Sequence, residues 1–353
     1  MGIIGCGFIG GVHSRALKGL HRGGLVDAPV VAVCDPDLER ARSFGSAHGA
    51  SLVTSDPAEL LADVDVVWIC TPTNTHRPLV EQACAAGVPF YCEKPLATTQ
   101  ADAESMWSTV LAARIPNQVG LVLRSSPALA QLHRMVADTA AHGRVMTVVL
   151  RDDQFLPNQG HYASTWRADP VQAGGGTLIE HSIHDLDVLS WLLGPIREVT
   201  GRTADFAGNE GIEDLATATL VHASGAVSML VSVWHQVLTR PSTRRIEVFS
   251  ERALFWLEEE NEGPIHRLTD TGKDAFDDDV VAARLSLADL AIPEAWVGAI
   301  LPYALADRSF LQALAAGREP APNVRTALQA HCVADAIYRS AAAGGRPTRV
   351  ALL

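Results

Sequence analysis

A lysine, and a histidine with a nearby carboxylate, are the residues of this sequence that could exchange a proton with a substrate. Lys94 follows an apolar segment and is the centre of the tripeptide Glu93-Lys94-Pro95. Glu180 and His184 are four residues apart in a glycine-rich segment, and this spacing places both side chains on one face of a helix. An alcohol that gives up a hydride needs such groups, because its hydroxyl proton must also be taken up. These residues therefore point to alcohol oxidation.

The same glycine-rich segment also carries His181, Asp185 and Asp187. A metal site is the alternative interpretation, but the segment has no His-Glu-x-x-His motif, and no distant His or Cys signature completes a ligand set. We therefore predict no metal. A buried, hydrogen-bonded structural role remains open for His184 and for His181.

A glycine-rich turn near the start of the chain is typical of a dinucleotide site. Gly5, Gly7 and Gly10 follow a short apolar strand and precede a helical segment. The first glycine permits a tight turn, the second lets the backbone approach a pyrophosphate, and the third lets the helix pack close to the strand. The pyrophosphate then lies at the helix N-terminus, where free N–H groups favour an anion. Because the strand before this turn is short, we expect a few residues to precede it in the natural protein.

An acidic residue at the end of the second strand indicates which dinucleotide binds. Asp35 closes an apolar segment and lies 25 residues beyond Gly10, where a carboxylate hydrogen-bonds the ribose 2′-hydroxyl of NAD. Its charge would repel the 2′-phosphate of NADP, and the next residue, Pro36, offers no positive charge. The sequence therefore predicts NAD. The alternative for Asp35 is an ordinary turn residue at a strand end.

Composition narrows the class of protein. A chain of 353 residues, 48% hydrophobic and 19% charged, suggests two globular domains. The formal net charge of −12 argues against a nucleic-acid partner or an anionic membrane surface, and no apolar run approaches the ~20 residues that span a bilayer. Six cysteines without a Cys-x-x-Cys pair fit buried, reduced thiols in a cytoplasmic protein.

Strand and helix patterns alternate through residues 1–123, and this alternation predicts a dinucleotide-binding domain with a doubly wound parallel sheet. A buried strand over residues 64–70 ends in a polar turn, at the edge where such sheets bind ligands. Consecutive strands between residues 145 and 257 predict a mainly antiparallel sheet in a second, α+β domain, residues 124–353. We expect the acidic run 277–279 to form a solvated loop, and residues 303–317 and 324–343 to form two helices.

The sequence resembles the Gfo/Idh/MocA family of NAD(P)-dependent oxidoreductases, which is named for glucose-fructose oxidoreductase, inositol dehydrogenase and a rhizopine-catabolism protein. The resemblance rests on GCGFIG at residues 5–10, CTPTNTH at 70–76, EKP at 93–95 and WRADPVQAGGGTLIEHSIHDLD at 166–187. It implies a Rossmann domain followed by an α+β domain whose sheet makes contacts between subunits. We therefore expect a homodimer or a homotetramer.

The resemblance also implies roles for individual residues. Lys94 would polarise or deprotonate the reacting oxygen, His184 would act as general base or acid, and Glu180 would bind or orient the substrate. Glu180 stands where the family has Asp, and Ser182 stands where it has Gly, so the identity of the substrate is left open. The expected substrate contacts are Lys94, Trp166, Arg167, Glu180 and His184, with Tyr162, His235, Gln236 and Arg240 as candidates for specificity.

The expected cofactor contacts combine the residues of the glycine turn and Asp35 with those that the resemblance adds. They are Gly5, Gly7, Phe8, Ile9, Gly10, Asp35, Thr71, Pro72, Asn74, His76, Glu93 and Lys94. A capping role within their own loop is the alternative for Asn74 and His76.

Three functions are compatible with these residues. The leading hypothesis is an NAD-dependent dehydrogenase that acts on a secondary hydroxyl of a sugar, a cyclic polyol or a sugar derivative. The second is a glycosidase that oxidises the sugar transiently, eliminates the glycosidic group and returns the hydride. The third is a non-catalytic regulator that senses NAD, for which a proton-transferring lysine and histidine have no use.

Overall fold

A computed structural model describes residues 1–27, 29–160, 162–261, 263–286 and 294–353. Its contacts divide the chain into two compact units. The first contains Met1–Val122 and Arg284–Leu328, and the second contains Leu123–Ala283 and Gln329–Leu353. The chain passes from the first unit to the second after Val122, within one residue of the boundary expected after residue 123. A later part of the chain, Arg284–Leu328, returns to the first unit.

The first unit contains a parallel sheet of six strands in the order β3-β2-β1-β4-β5-β6. All residues of five of the strands are buried, as expected of a parallel sheet covered on both faces. This arrangement confirms the predicted doubly wound sheet. Strands β1 to β6 are Gly2–Ile4, Ala32–Cys34, Leu52–Thr54, Val67–Ile69, Phe90–Cys92 and Asn117–Val119.

Five helices connect these strands, and side-chain caps determine where several of them begin. Asp37, Asp56 and Thr99 each accept a hydrogen bond from a backbone N–H of the first helical turn that follows, which is the usual role of such residues. Helices α1 to α5 are Phe8–Arg22, Leu38–His48, Pro57–Leu61, His76–Ala86 and Gln100–Ala113.

The second unit is built on a nine-stranded sheet in the order β14-β13-β12-β11-β7-β10-β9-β8-β15. All neighbouring strands are antiparallel except β7 and β10, which are parallel. This confirms the mainly antiparallel sheet. Strands β7 to β15 are Val145–Phe155, Ile196–Ala204, Leu215–His222, Val227–His235, Thr243–Ser250, Leu254–Leu257, Ile265–Thr269, Gly272–Phe276 and Thr348–Arg349.

Seven further helices follow in the described part of the chain after β6. They are α6 to α12, with the bounds Pro127–Ala137, Thr139–His142, Pro170–Ala173, Ile183–Leu193, Asp278–Ser286, Glu294–Ala315 and Val324–Ala342. Helices α11 and α12 confirm the two helices expected in the tail. In the described ranges, no helix is both long enough and apolar enough to cross a membrane.

The described tail differs from the prediction in two respects. The expected loop over the acidic run is wrong, because Asp278 and Asp279 form the first turn of α10, where carboxylates interact favourably with the helix dipole. The domain assignment of residues 124–353 also differs, because α11 contacts α1 extensively. Phe310 of α11 belongs to the same apolar cluster as Trp68 and Tyr91 of the parallel sheet.

Candidate active site

The glycine turn joins β1 to α1 with a geometry that fits a dinucleotide. Gly5 has a φ of +98°, and a Cβ at this position would lie 2.5 Å from the carbonyl oxygen of Cys70. A Cβ on Gly10 would lie 2.1 Å from the carbonyl oxygen of Gly5, whereas a Cβ on Gly7 would have no heavy atom within 4 Å. Gly7 therefore leaves open space beside the N-terminus of α1, which has no side-chain cap. A pyrophosphate can approach the backbone N–H groups of the first helical turn there.

Asp35 ends β2 and turns its carboxylate towards the glycine turn. Oδ2 accepts a hydrogen bond from the Cys6 N–H at 3.0 Å, and Oδ1 accepts one from the Asp37 N–H at 2.9 Å. Each oxygen retains a lone pair for a ribose hydroxyl. The Arg40 Nε lies 3.7 Å from Asp35 Oδ1, so a positive charge is present that the sequence reasoning missed.

The loop after β4 carries four of the predicted cofactor contacts. Asn74 is exposed and Pro72 is half-buried, so both are accessible to a cofactor. His76 is buried, with Nδ1 2.9 Å from the Pro95 carbonyl oxygen and Nε2 2.9 Å from the Thr71 carbonyl oxygen. Burial lowers the pKa of His76, and the neutral ring can donate to only one of the two carbonyls. His76 therefore holds two loops, as the capping alternative expects, and its contact with the cofactor stays a prediction.

Lys94 follows β5 and is fixed through both of its neighbours. The Glu93 carboxylate accepts a hydrogen bond from the Lys94 backbone N–H at 3.2 Å, and His76 lies against the carbonyl of Pro95. Strands β1, β4 and β5 are adjacent and parallel. The glycine turn, the loop after β4 and Lys94 consequently follow the carboxyl ends of neighbouring strands, where open α/β sheets bind ligands.

In the second unit, Glu180 and His184 do not share one continuous α-helix. Glu180 lies in a π-helical turn, Thr177–His181, and His184 lies in the first turn of α9. Ser182 separates the two pieces with a ψ of 4°. The single helix face expected from their spacing is therefore wrong, although both side chains are buried within the second unit. π-Helical turns occur frequently at functional sites.

Glu213 fixes the start of the π-helical turn, and no local pattern in the sequence points to it. Oε2 accepts a hydrogen bond from the Gly176 N–H at 2.8 Å, and Oε1 accepts hydrogen bonds from the Leu178 N–H at 3.0 Å and the Tyr338 hydroxyl at 2.9 Å. The Thr177 N–H donates to the Glu213 carbonyl oxygen at 2.8 Å. A Cβ on Gly176 would lie only 1.8 Å from that oxygen, so the backbone contact requires glycine.

Three of the predicted substrate residues form one local arrangement. The Arg167 Nε donates to Glu180 Oε1 at 2.6 Å, and the Glu180 side chain is 2% exposed. The Arg167 guanidinium lies 4.4 Å from the Trp166 ring centroid, within the range of a cation–π contact. With Arg167 as its partner, Glu180 is suited to accept a hydrogen bond from a substrate hydroxyl.

Asp187, another carboxylate of the glycine-rich segment, is directed to a different partner. The Arg124 Nε and Nη2 donate to its two oxygens at 2.8 and 2.7 Å. Among the specificity candidates, Arg240 pairs with Asp153, Nη2 to Oδ1 at 2.9 Å. Gln236 is exposed. Tyr162 and His235 are half-buried.

His181 and Asp185 meet at Arg244, another residue that sequence reasoning missed. Arg244 donates to Asp185 Oδ1 at 2.8 Å, to Glu260 Oε1 at 2.9 Å and to Asp152 Oδ2 at 3.1 Å. The His181 Nε2 lies 3.0 Å from Asp152 Oδ2. Burial, and then the neighbouring charge of Asp152, raise the pKa of Asp185 to about 7. We call these five residues the Arg244 cluster.

Comparisons with known proteins agree with this geometry. Residues 1–120 match the model of the oxidoreductase family with an NAD-binding Rossmann fold, and residues 129–255 match the GFO/IDH/MocA C-terminal domain. The chain is 29% identical to inositol 2-dehydrogenase of Rhizobium meliloti over 97% of this chain and 96% of that protein. It is 30% identical to D-apiose dehydrogenase of Paraburkholderia graminis over 97% of this chain and 87% of that protein.

A solved structure shows the same fold over the whole chain. An oxidoreductase from Agrobacterium radiobacter, in complex with NAD+, L-tartaric acid and magnesium, has a TM-score of 0.82 and 25% identity, and the match covers 99% of this chain and 97% of that one. Both parts of the chain thus match one family. The chain belongs to the Gfo/Idh/MocA family of NAD-dependent oxidoreductases, whose named relatives here are dehydrogenases that act on CH–OH groups.

Proposed function

We propose that this protein oxidises a secondary hydroxyl of a sugar, a cyclic polyol or a sugar derivative, with Lys94 and His184 in acid–base roles. One observation carries the proposal. Lys94 follows β5, at the sheet edge that also carries the glycine turn, and hydrogen bonds fix the residues on both sides of it. A lysine that served only as a surface charge would not need a backbone held in this way.

The residues divide the chemistry among them. The residues suited to hold NAD are Gly5, Gly7, Phe8, Ile9, Gly10, Asp35, Thr71, Pro72, Asn74 and Lys94. NAD+, when bound, accepts the hydride from the carbon that bears the hydroxyl. The Lys94 ammonium stabilises negative charge on the substrate oxygen, His184 takes up the hydroxyl proton, and Glu180 orients the substrate through a neighbouring hydroxyl.

The substrate class is inferred from the relatives together with the polar side chains of the second unit. The two relatives named above act on inositol and D-apiose, and the Agrobacterium oxidoreductase binds L-tartaric acid with NAD+. All three molecules are small and carry two or more hydroxyl groups. The ion pair of Arg167 and Glu180 supplies donors and an acceptor for such groups.

The experiment measures the absorbance of reduced nicotinamide with purified protein, NAD+ and a panel of inositols, D-apiose, other aldoses, glycosides and hydroxy acids. We expect one stereochemical class to be oxidised. Lys94→Met should lower turnover by ~10²-fold or more, because it removes the charge at the reacting oxygen. Lys273→Met, at an exposed lysine of β14, is the matched control and should retain full turnover.

The other outcomes separate the alternatives. Full turnover by the Lys94→Met enzyme would refute the role of Lys94. Cleavage of a glycoside without net reduction of NAD+ would favour the transient-oxidation glycosidase. NAD+ binding without turnover on any member of the panel would favour the non-catalytic regulator.

We also infer that the chain forms a homodimer or a homotetramer through the nine-stranded sheet. Along β9 to β12, buried residues alternate with partly exposed ones, so within the described residues one face of the sheet lacks the cover that the other has. The uncovered face carries the apolar side chains Val149, Met229, Val231, Phe249, Leu254 and Trp256. Such a patch marks an interface. Sedimentation should show an oligomer that Met229→Lys weakens, and a monomeric parent protein would refute the inference.

The compartment is a further part of the proposal. All six cysteines are free and buried, which favours a reducing compartment and hence the cytoplasm. Fractionation of cells that produce the protein tests this assignment.

A further inference from the structure

The Glu93 carboxylate, which holds the Lys94 backbone, is itself held by a buried histidine. Glu93 is 5% exposed. Its Oε2 accepts the Lys94 N–H at 3.2 Å, and its Oε1 lies 3.0 Å from His13 Nε2. The carboxylate also lies against Gly120, where a Cβ would be 2.5 Å from Oε1. A displacement of Glu93 would therefore be transmitted to the Lys94 backbone.

His13 contacts a second carboxylate through its other ring nitrogen. Its Nδ1 lies 2.8 Å from Oδ1 and 3.0 Å from Oδ2 of Asp307, and both His13 and Asp307 are 0% exposed. Because carboxylates lie against both nitrogens, only the imidazolium form can donate to each of them. Burial by itself lowers the pKa of His13, but the attraction of Asp307, and then that of Glu93, outweighs burial and raises it to about 10.

Asp307 is oriented by a further donor in the same unit. The Trp68 indole N–H donates to Asp307 Oδ1 at 2.9 Å. The Tyr91 ring lies 5.0 Å from the His13 ring. Aromatic side chains thus surround the three ionic residues. These residues link α11, through Asp307 and then His13 of α1, to Glu93, which precedes Lys94. Every member belongs to the first unit.

We propose that His13 and Asp307 are positioning residues for Lys94, which fix the Glu93 carboxylate and thereby the lysine backbone. The inference rests on the role of Lys94 in the proposed function. Neither residue serves as a proton donor to the substrate. Their role is to keep a catalytic lysine in one place, and a misplacement of about 1 Å can cost ~10²-fold in rate.

The low lysine content of the chain gives a direct measurement. The sequence has three lysines, Lys18, Lys94 and Lys273, so ¹³C-methylated protein gives three lysine signals, which Lys94→Arg, Lys18→Arg and Lys273→Arg assign. Asp307→Asn should move or broaden the Lys94 signal. Lys18, on the same helix as His13, reports on the integrity of α1, and Lys273 reports on the second unit. Both of these signals should stay in place.

Kinetic measurements on unmethylated protein provide the second test of the positioning role. With saturating NAD+ and the best polyol from the panel, Asp307→Asn should lower kcat by about tenfold to a hundredfold and leave KM within about threefold. In a Lys94→Met background the same substitution should lower kcat no further, because the two changes act through one residue. Asp335→Asn, at an exposed ion pair with Arg339, is the matched control and should change neither constant.

The outcomes are decisive in each case. A Lys94 signal that stays in place, or an additive loss in the double variant, would overturn the proposal and leave His13 and Asp307 with a purely structural role. If Asp307→Asn moves all three signals, the fold is disturbed. Trp68→Phe, which removes one donor to Asp307, is then measured instead. We expect this variant to move only the Lys94 signal, and by a smaller amount. Full activity of Lys94→Met would refute the proposed function, whereas the signal of Lys94 would still test its positioning.

Discussion

Lys94 in the first unit and Glu180 in the second are both held near buried ionic clusters, but the two clusters balance their charges differently. In the first, one imidazolium, His13, lies between two carboxylates, Glu93 and Asp307. In the second, one guanidinium, Arg244, meets three carboxylates, Asp152, Asp185 and Glu260. The first cluster therefore keeps its proton on the cation, whereas in the second, burial and the neighbouring carboxylate favour a proton on Asp185.

The pKa values express this difference. His13 keeps its proton to a pKa of about 10, although burial opposes it. Burial and the charge of Asp152 raise the pKa of Asp185 to about 7. A titratable cation between two carboxylates thus keeps its proton through neutral pH. A carboxyl pair beside a permanent cation instead titrates near neutral pH.

The largest effect is expected from the glycines that begin the two site segments. Gly176→Ala places a Cβ 1.8 Å from a backbone oxygen that cannot move aside, so it should lower the free energy of unfolding by more than ~3 kcal/mol or prevent folding. Gly7→Ala meets no atom within 4 Å and should change that free energy by less than ~0.5 kcal/mol. Its methyl group should instead weaken NAD+ binding by about tenfold or more, because the backbone can no longer approach a pyrophosphate.

Urea unfolding and calorimetric titration with NAD+ measure both effects. The contrast between the two glycines fails if Gly176→Ala is as stable as the parent protein. It also fails if Gly7→Ala binds NAD+ normally.

The next effect is a pH dependence in the first unit. The unfolded chain releases the His13 proton near pH 6.5, and the folded protein holds it to about 10. The stability that His13 contributes is therefore complete below pH 6.5 and is lost as the pH rises towards 10. His13→Gln should be most destabilised relative to the parent near pH 6 and least near pH 10, as measured by urea unfolding. An equal difference at both pH values would contradict this interpretation.

A smaller effect with a different pH window is expected in the second unit. The pKa of Asp185 is 3.8 in the unfolded chain and about 7 in the folded protein, so the folded state binds the additional proton between these values. Stability should fall as the pH rises from about 4 to about 7, by at most about 1.4 kcal/mol per pH unit. Asp185→Asn carries an amide in place of the protonated carboxyl and should lack this fall.

The variant Asp185→Asn should therefore be more stable than the parent at pH 8 and comparable near pH 4. Asp335→Asn, at an exposed ion pair, is the control and should follow the parent at both values. If the curves of Asp185→Asn and the parent run parallel, Asp185 does not carry the proton.

Local patterns made the parallel sheet and the glycine turn predictable. Alternating apolar segments, and glycines followed by a helical segment, reflect interactions over a few residues. The hairpin of β13 and β14 was missed because its residues are polar and partly exposed, without a clear apolar alternation. The acidic run at the start of α10 favours a loop by its charge alone, whereas its position at a helix N-terminus makes the same carboxylates helix-stabilising.

The missed site residues share a different cause. Glu213 closes on Gly176, Arg244 meets Asp185, and Asp307 meets His13. Each partner lies far along the chain, so no local period or spacing connects the pair. The π-helical turn that carries Glu180 was missed for the same reason, because the contact that fixes it comes from Glu213. The role of Lys94 stays a prediction that kinetics must test.

The return of α11 to the first unit has a consequence for how the protein is made. The ribosome completes the six strands and the Lys94 segment early, but Asp307 is synthesised only after most of the second unit. Until then His13 has one of its two carboxylates, and the nascent Rossmann unit is unfinished. A gene fragment that ends at residue 122 would therefore encode every predicted NAD contact and still lack the residue that completes the support of Lys94, so it would be a poor choice as a portable cofactor-binding module.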